Sequence, residues 1–187
     1  MDNGFLKLII GPMFAGKTTE LINYAKKVSP EVGMRVSHSI NVRDTDEKGH
    51  IVYHSHDNEV LSGVMCFKWL KDVRMSEGYA EAEWIFIEEL QFFEDCYDEV
   101  IKMIDIDGKK VVAAGLDGDF MRKGFGRMLE LVAMADEVIK KTAVCGVKEC
   151  GRAAPFTKKI GGDTGGDVVV DVGGGDKYLP VCRKHYV

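Results

Sequence analysis

Residues 11–18 read Gly11-Pro12-Met13-Phe14-Ala15-Gly16-Lys17-Thr18. They match the pattern G-x-x-x-x-G-K-[ST] at every position; the alternative is a glycine-rich turn that matches by chance. The apolar run Phe5–Ile10 predicts a buried strand before the motif, and apolar residues at helical spacing from Thr18 to about Val28 predict a helix after it. A strand before and a helix after are the context in which this motif forms a phosphate-binding loop. We therefore predict that residues 11–18 bind a nucleotide.

Two side chains of this loop are suited to phosphoryl transfer. Lys17 would reach the β- and γ-phosphates, and Thr18 would hold Mg²⁺. The glycines would let backbone N–H groups approach the phosphates closely. We expect the nucleotide and Mg²⁺ to be bound through Gly11, Pro12, Met13, Phe14, Ala15, Gly16, Lys17 and Thr18.

Strand and helix patterns alternate along the chain after this loop. Strands are predicted at residues 34–40, 84–87 and 109–114, and helices at 67–75 and 95–105. This alternation indicates βαβ units in an α/β fold with a mainly parallel sheet. The polar stretch Asn41–Asn58, which contains three histidines, is interpreted as a long flexible connection.

The predicted strand at 84–87 is followed by two acids, Glu88 and Glu89. In P-loop proteins an acid at this place assists Mg²⁺. Because adjacent residues of a strand point to opposite faces, the two acids can have different roles. Glu88 could support the metal through water, and Glu89 could accept the proton of an attacking hydroxyl group. The alternative is a pair of solvated charges at the end of a strand.

Length and charge exclude several classes of protein. The 187 residues suit one domain, or one domain with a small appendage. With 25 Lys and Arg against 30 Asp and Glu, the net charge is −5, which argues against a nucleic-acid partner because such binding needs a basic face. No apolar run approaches the roughly 20 residues of a membrane helix. The acidic amino terminus does not resemble a signal peptide, so we expect a cytoplasmic protein without a membrane partner.

The cysteines cluster near the carboxyl end of the sequence. The spacings are Cys145-x₄-Cys150 and Cys182-x₂-His185. Three cysteines and one histidine form a common structural zinc set, and thiolates favour Zn²⁺ over Mg²⁺ or Ca²⁺. The alternative is three buried cysteines and a surface histidine. We predict a P-loop domain over residues 1–141 and a small zinc-binding lobe over residues 142–187.

Two loop-like segments leave their role open. Asp163–Tyr178 combines glycine pairs with valines and an aromatic residue, and Leu116–Phe125 combines aromatic residues with two cations. Glycines permit close approach to a ligand. By composition alone, a flexible surface loop is the favoured interpretation of both segments.

Taken together, several blocks of sequence resemble the thymidine kinase family of the P-loop, zinc-containing type. They occur in the order of that family and span nearly the whole chain. The blocks are Gly11–Leu21, Glu88–Phe93, Leu116–Phe120 with Arg122–Gly126, Thr142–Cys145, Asp176–Tyr178 and Val181–His185.

The resemblance implies an ATP:thymidine 5′-phosphotransferase of nucleotide salvage, which supplies dTMP for DNA synthesis and also accepts deoxyuridine. It implies a RecA-like P-loop NTPase sheet with helices on both faces, a structural-zinc lobe with a lasso loop over the base, and a homotetramer. In this family dTTP is a common feedback inhibitor. By position, Glu89 would be the catalytic base that takes the proton from the thymidine 5′-hydroxyl, while Glu88 would assist the metal.

The resemblance also implies a set of thymidine-binding residues. The lasso would grip thymine largely through its main chain. The matching positions are Met13, Asp44, Gln91, Phe92, Leu116, Phe120, Phe125, Thr157 and Tyr178, with the lasso residues Val168, Val169, Val170, Asp171 and Val172.

The chain departs from the family pattern at three places. Glu88 stands where the family usually has Asp, and Leu90 stands where it usually has a small residue. The Asp-x-Arg element of the family reads Asp44-Thr45-Asp46 here, so a phosphate-side contact is lost or is supplied by Arg43. Two other functions compete with the kinase: a nucleotide-driven switch or ATPase without a nucleoside acceptor, and a zinc-ribbon binding module with a relict P-loop.

Overall fold

The computed structural model describes residues 4–28, 33–41, 44–45, 51–54, 60–161 and 173–187. An eight-stranded sheet, in the order β3-β4-β5-β2-β6-β7-β1-β8, forms the centre of the molecule. Its strands are β1 (Phe5–Gly11), β2 (Met34–His38), β3 (Asp44–Thr45), β4 (Ile51–His54), β5 (Val60–Phe67), β6 (Trp84–Glu88), β7 (Lys110–Leu116) and β8 (Glu137–Lys140).

The six neighbouring strands β5-β2-β6-β7-β1-β8 are parallel. β4 pairs antiparallel with β5, and β3 pairs antiparallel with β4. Helix α1 (Lys17–Val28) covers one face through Leu21 and Ala25. Helices α2 (Leu70–Arg74) and α3 (Cys96–Ile101) pack on the other face, and α3 continues as a π-helical turn, Lys102–Ile106. The central strands are apolar on both sides because both faces are covered. The predicted α/β fold with a mainly parallel sheet is confirmed.

The prediction of a connection over Asn41–Asn58 is wrong in part, because β3 and β4 lie within it. β5 and β8 also have no counterpart in the prediction. β5 is interrupted by Gly63 with φ +69°, which breaks its apolar pattern, and β8 is short and exposed at the sheet edge. Such strands are defined by their neighbours more than by their own sequence. Helix α2 is shorter than predicted because Phe67 belongs to β5.

The carboxyl-terminal part contains two small antiparallel ladders. β9 (Ala143–Val144) pairs with β10 (Ala153–Ala154), and β11 (Phe156–Lys159) pairs with β12 (Tyr178–Val181). A short helix, α4 (Arg183–Tyr186), follows β12. The apolar cluster between these elements includes Ala15 of the phosphate-binding loop, with Phe14 packed against it. This small core is therefore built partly from the amino-terminal part of the chain.

Helices long and apolar enough to cross a membrane are not found among the described residues.

Candidate active site

The loop between β1 and α1 has a backbone that needs glycine at positions 11 and 16. Gly11 has φ +152°, and a Cβ there would lie 2.5 Å from the Lys141 carbonyl oxygen. Gly16 has φ +72°, a region that side chains with a Cβ rarely adopt. Thus the glycines of the motif allow a conformation that other residues would strain.

Lys17 lies folded over this loop. Its Nζ donates a hydrogen bond of 2.7 Å to the Pro12 carbonyl oxygen, and the side chain is buried. Burial lowers the pKa of the Lys17 ammonium, while the nearby charges of Glu89, Glu88 and Asp117 act to raise it. The cation is therefore surrounded by acids at the end of the sheet where strands β6 and β7 also end.

Glu88 and Thr18 meet beside the loop. Thr18 Oγ1 donates to Glu88 Oε1 at 2.7 Å, and the other carboxylate oxygen, Oε2, is buried without a partner in the described part of the chain. Burial, followed by the charge of Glu89, raises the pKa of Glu88 to about 7, against the lowering effects of Thr18 and Lys17. A hydroxyl group beside a carboxylate with an unsatisfied oxygen fits the oxygen ligands that Mg²⁺ prefers. Glu88 stands where the family pattern has the shorter Asp, and its longer side chain still contacts Thr18 of the loop.

Glu89 follows β6 directly and takes a left-handed backbone conformation, with φ 57° and ψ 43°. The Gln91 side chain holds its carboxylate: Nε2 donates to Glu89 Oε2 at 2.5 Å, while Oε1 accepts from the Leu116 backbone N–H at 2.9 Å. Gln91 is itself buried. The proposed base is thereby linked to the end of β7, which lies next to β6 in the sheet.

Leu90 is fully buried in the core cluster on the face of α2 and α3. Its side chain packs there with Phe93, so the larger residue at this position is accommodated in the core.

The structure brings the described thymidine-binding candidates together in pairs. The rings of Phe92 and Phe125 are in edge contact at 5.4 Å, and those of Phe120 and Tyr178 lie 6.3 Å apart. The Met13 N–H donates to Thr157 Oγ1 at 3.0 Å. The fourth pair is the Gln91–Leu116 hydrogen bond given above.

The remaining candidates are Asp44 and the lasso residues. Asp44 lies in β3. The lasso residues Val168–Val172 lie outside the described residues. The roles of both therefore stay predictions.

A cavity of about 250 Å³ adjoins the loop and shares Pro12 and Thr157 with the predicted sites. Its charged groups already have partners within the protein. Asp117 is paired with Lys140, and Asp119 Oδ1 accepts from the backbone N–H groups of Met121 and Lys123. Asp119 thus fixes the turn of the loop that carries Phe120.

The four predicted zinc ligands converge. The ligand atoms of Cys145, Cys150, Cys182 and His185 all lie within 4.8 Å of one another. The Cys150 and Cys182 sulfurs are 3.8 Å apart, the separation expected for a tetrahedron with zinc–sulfur bonds of about 2.3 Å. Burial alone would raise the pKa of Cys145, but hydrogen bonds from the Cys182 N–H and from His185 outweigh it and lower the pKa to about 6. These four side chains could hold zinc.

The end of the chain contacts the loop that follows β7. The Tyr186 hydroxyl donates to the Phe120 carbonyl oxygen at 2.7 Å, and the Arg122 guanidinium lies 4.0 Å from the centre of the Tyr186 ring. Because Tyr186 follows His185 of the Cys/His cluster, that cluster and Phe120 are joined through one residue.

Comparison with known proteins identifies the family. A model of the family described as "Thymidine kinase" matches residues 4–186. The chain belongs to the thymidine kinase family. Among its relatives, it is 39% identical to "Thymidine kinase a" of Arabidopsis thaliana, across 99% of this chain and 76% of the plant protein. It is 36% identical to "Thymidine kinase" of Vaccinia virus (strain Ankara), and 35% identical to that of Monkeypox virus, each across 100% of this chain and 99% of the viral protein. The resemblance inferred from the sequence blocks is confirmed.

Sequence reasoning missed two residues, Gly115 and Asp117, that affect the site through their positions next to Gln91 and Lys17. A Cβ at Gly115 would lie 2.5 Å from Gln91 Oε1, so the glycine in β7 makes room for the side chain that holds Glu89. A glycine inside an apolar strand often marks such a close approach, and that signal was present in the sequence. Asp117 was visible only as a residue of a loop-like segment, and its influence on Lys17 depends on the fold.

Proposed function

We propose that this protein transfers the γ-phosphoryl group of ATP to the 5′-hydroxyl group of thymidine, giving dTMP and ADP. The observation that carries the proposal is the meeting of Lys17, Thr18 and Glu88 with a second, separately held acid, Glu89, at one end of the sheet. Family membership supports the same reaction.

On the phosphate side, the loop at residues 11–18 binds the nucleotide through its backbone N–H groups. Thr18 and Glu88 would hold Mg²⁺, which would neutralise charge on the phosphate oxygens. Lys17 leaves the Pro12 carbonyl oxygen and stabilises the charge that spreads over the transferring phosphoryl group. Positioning and electrostatics supply most of the rate in such reactions.

On the acceptor side, Glu89 accepts the proton of the 5′-hydroxyl group. Gln91 fixes the carboxylate by its 2.5 Å hydrogen bond, which supports this role because a general base must be oriented before substrate arrives. The thymine ring is bound by the candidate residues. These are the aromatic pairs of Phe92 with Phe125 and Phe120 with Tyr178, together with the main chain of the lasso at 168–172. Deoxyuridine is accepted as well, and dTTP inhibits by occupying the acceptor site.

The zinc in this proposal is structural. Cys145, Cys150, Cys182 and His185 would hold it and so join the segments that follow β9 and β12, and the folding of the lobe at 142–187 would depend on it. We further propose a cytoplasmic homotetramer without a nucleic-acid partner, in keeping with the acidic net charge.

One experiment tests the proposed reaction. The protein is incubated with ATP and Mg²⁺ and, in turn, with each of the four deoxynucleosides and with deoxyuridine, and the monophosphate formed is identified. We expect dTMP and dUMP only. ATP hydrolysis at the same rate with and without nucleoside would instead indicate a switch or ATPase, and a salt-dependent gel shift with DNA would indicate a nucleic-acid-binding module.

A further inference from the structure

Ser37 has a buried hydroxyl group without a hydrogen-bond partner in the part of the chain that the structure describes. The residue is 0% exposed, and its Oγ has no hydrogen-bond partner among the residues that the structure describes. Nearly all buried polar atoms in proteins are paired, so an unpaired hydroxyl group calls for an explanation.

The position of Ser37 relates it to the phosphate site. Ser37 lies near the end of β2, and its partner in register on the parallel strand β6 is Glu88. Adjacent strands are about 4.8 Å apart, and residues in register point to the same face. Val36 and Ile87 pack into the cluster on the face of α2 and α3, so Ser37 and Glu88 both face α1.

The carboxylate of Glu88 also has a buried oxygen atom without a hydrogen-bond partner among the described residues. Glu88 Oε1 accepts from Thr18, but Glu88 Oε2 is buried without a partner in the same described part of the chain. Two unsatisfied oxygen atoms therefore belong to cross-strand neighbours beside the phosphate-binding loop. A group that donates two hydrogen bonds would satisfy both.

We propose that Ser37 is a positioning residue for the metal: its Oγ and Glu88 Oε2 accept the two hydrogen bonds of one water molecule in the hydration shell of Mg²⁺. Protein-bound Mg²⁺ usually keeps several of its waters and takes only one or two carboxylates, so residues that hold those waters contribute to the site. The inference rests on the proposed function, because it takes Thr18 and Glu88 as the place of Mg²⁺.

The test measures metal-dependent nucleotide binding rather than turnover. ADP affinity is determined by calorimetry in excess Mg²⁺ and in EDTA, and the ratio of the two affinities is compared between variants. For Ser37→Ala we expect this ratio to fall about three- to tenfold, the loss of one hydrogen bond, while the affinity in EDTA is unchanged. The unfolding temperature of the free protein should not fall, because the variant removes a hydroxyl group that has no partner among the described residues.

Ser76→Ala is the matched control. The Ser76 hydroxyl donates to the Val73 carbonyl oxygen at 2.6 Å, away from the loop. This control should lower the unfolding temperature and leave the affinity ratio unchanged. The opposite pattern in Ser37→Ala, with a less stable free protein and an unchanged ratio, would show a structural role and overturn the inference.

The Glu88→Gln variant distinguishes a failure of the Ser37 inference from a failure of the proposed metal site. A lowered ratio in Glu88→Gln together with a wild-type ratio in Ser37→Ala overturns the role of Ser37 alone. A wild-type ratio in both variants overturns the metal role of Glu88 and the inference with it. The reaction itself is judged independently by dTMP formation.

Discussion

At the scale of single residues, the site depends on how three consecutive side chains are directed. The left-handed backbone at Glu89 costs a residue with a Cβ about 1–2 kcal/mol. Leu90 offsets this cost by filling the core, and Gln91 turns back to hold the carboxylate. The left-handed conformation thus places the proposed base, Glu89, directly before a fully buried core residue, Leu90.

Replacing Glu89 by Gln should lower kcat for dTMP formation by about 10²- to 10⁴-fold, because an amide cannot accept the proton of the hydroxyl group. ADP affinity should change much less than kcat, since the Glu89 carboxylate is hydrogen-bonded to Gln91 and acts on Lys17 of the phosphate-binding loop through its charge. Steady-state kinetics and calorimetry measure the two effects. The control is Glu94→Gln, an exposed glutamate nearby in sequence, which should retain full activity. A Glu89→Gln enzyme with wild-type kcat would remove the assigned base.

At the scale of secondary-structure elements, α4 acts on the loop after β7 through Tyr186. Replacing Tyr186 by Phe keeps the ring beneath Arg122 but removes the hydrogen bond to the Phe120 carbonyl oxygen. We expect the KM for thymidine to rise about three- to tenfold, with the KM for ATP, kcat and the zinc content unchanged. Tyr24→Phe on α1, which removes a tyrosine hydroxyl group away from this loop, should change none of these values. An equal rise in both KM values would contradict a role confined to the nucleoside.

Elements also show where sequence reasoning succeeds and where it stops. The loop from Gly11 to Thr18 and the Cys/His set were predictable because their chemistry requires fixed residue types at short spacing. β8 was missed because its place is given by pairing with β1, more than a hundred residues earlier. The same limit applies to Gln91, whose use depends on β7 lying beside β6. Contacts between distant parts of the chain leave no local pattern.

At the scale of the whole molecule, zinc should support more than its own ligands. We expect one zinc ion per chain by elemental analysis, and Cys150→Ala should lose it and lower the unfolding temperature. ADP affinity should fall as well, because Ala15 of the phosphate-binding loop belongs to the core beside the cluster. Cys96→Ala, a buried cysteine outside the cluster, should keep its zinc. Full zinc content in Cys150→Ala would contradict the assigned ligand set.

Association of chains should involve the edge of the sheet at β8. Four exposed apolar side chains lie near it in sequence: Leu129, Val132, Met134 and Val138. Because exposed apolar residues of this kind often mark interfaces, we expect light scattering to show four chains in the wild type and fewer after Val138→Lys. Met75→Lys, at an exposed apolar residue elsewhere, is the control and should keep the wild-type mass. A monomeric wild type would contradict the homotetramer.

The burial of Ala15 among Ala143, Ala154 and Val181 limits how this protein can be recombined with its relatives. A chimera that takes its carboxyl-terminal third from another member of the family also takes from it the residues that pack against the phosphate-binding loop. Unless residues 13–15 are exchanged together with that segment, we expect steric overlap or a cavity at this contact. ATP binding should then weaken although the residues that contact ATP are unchanged.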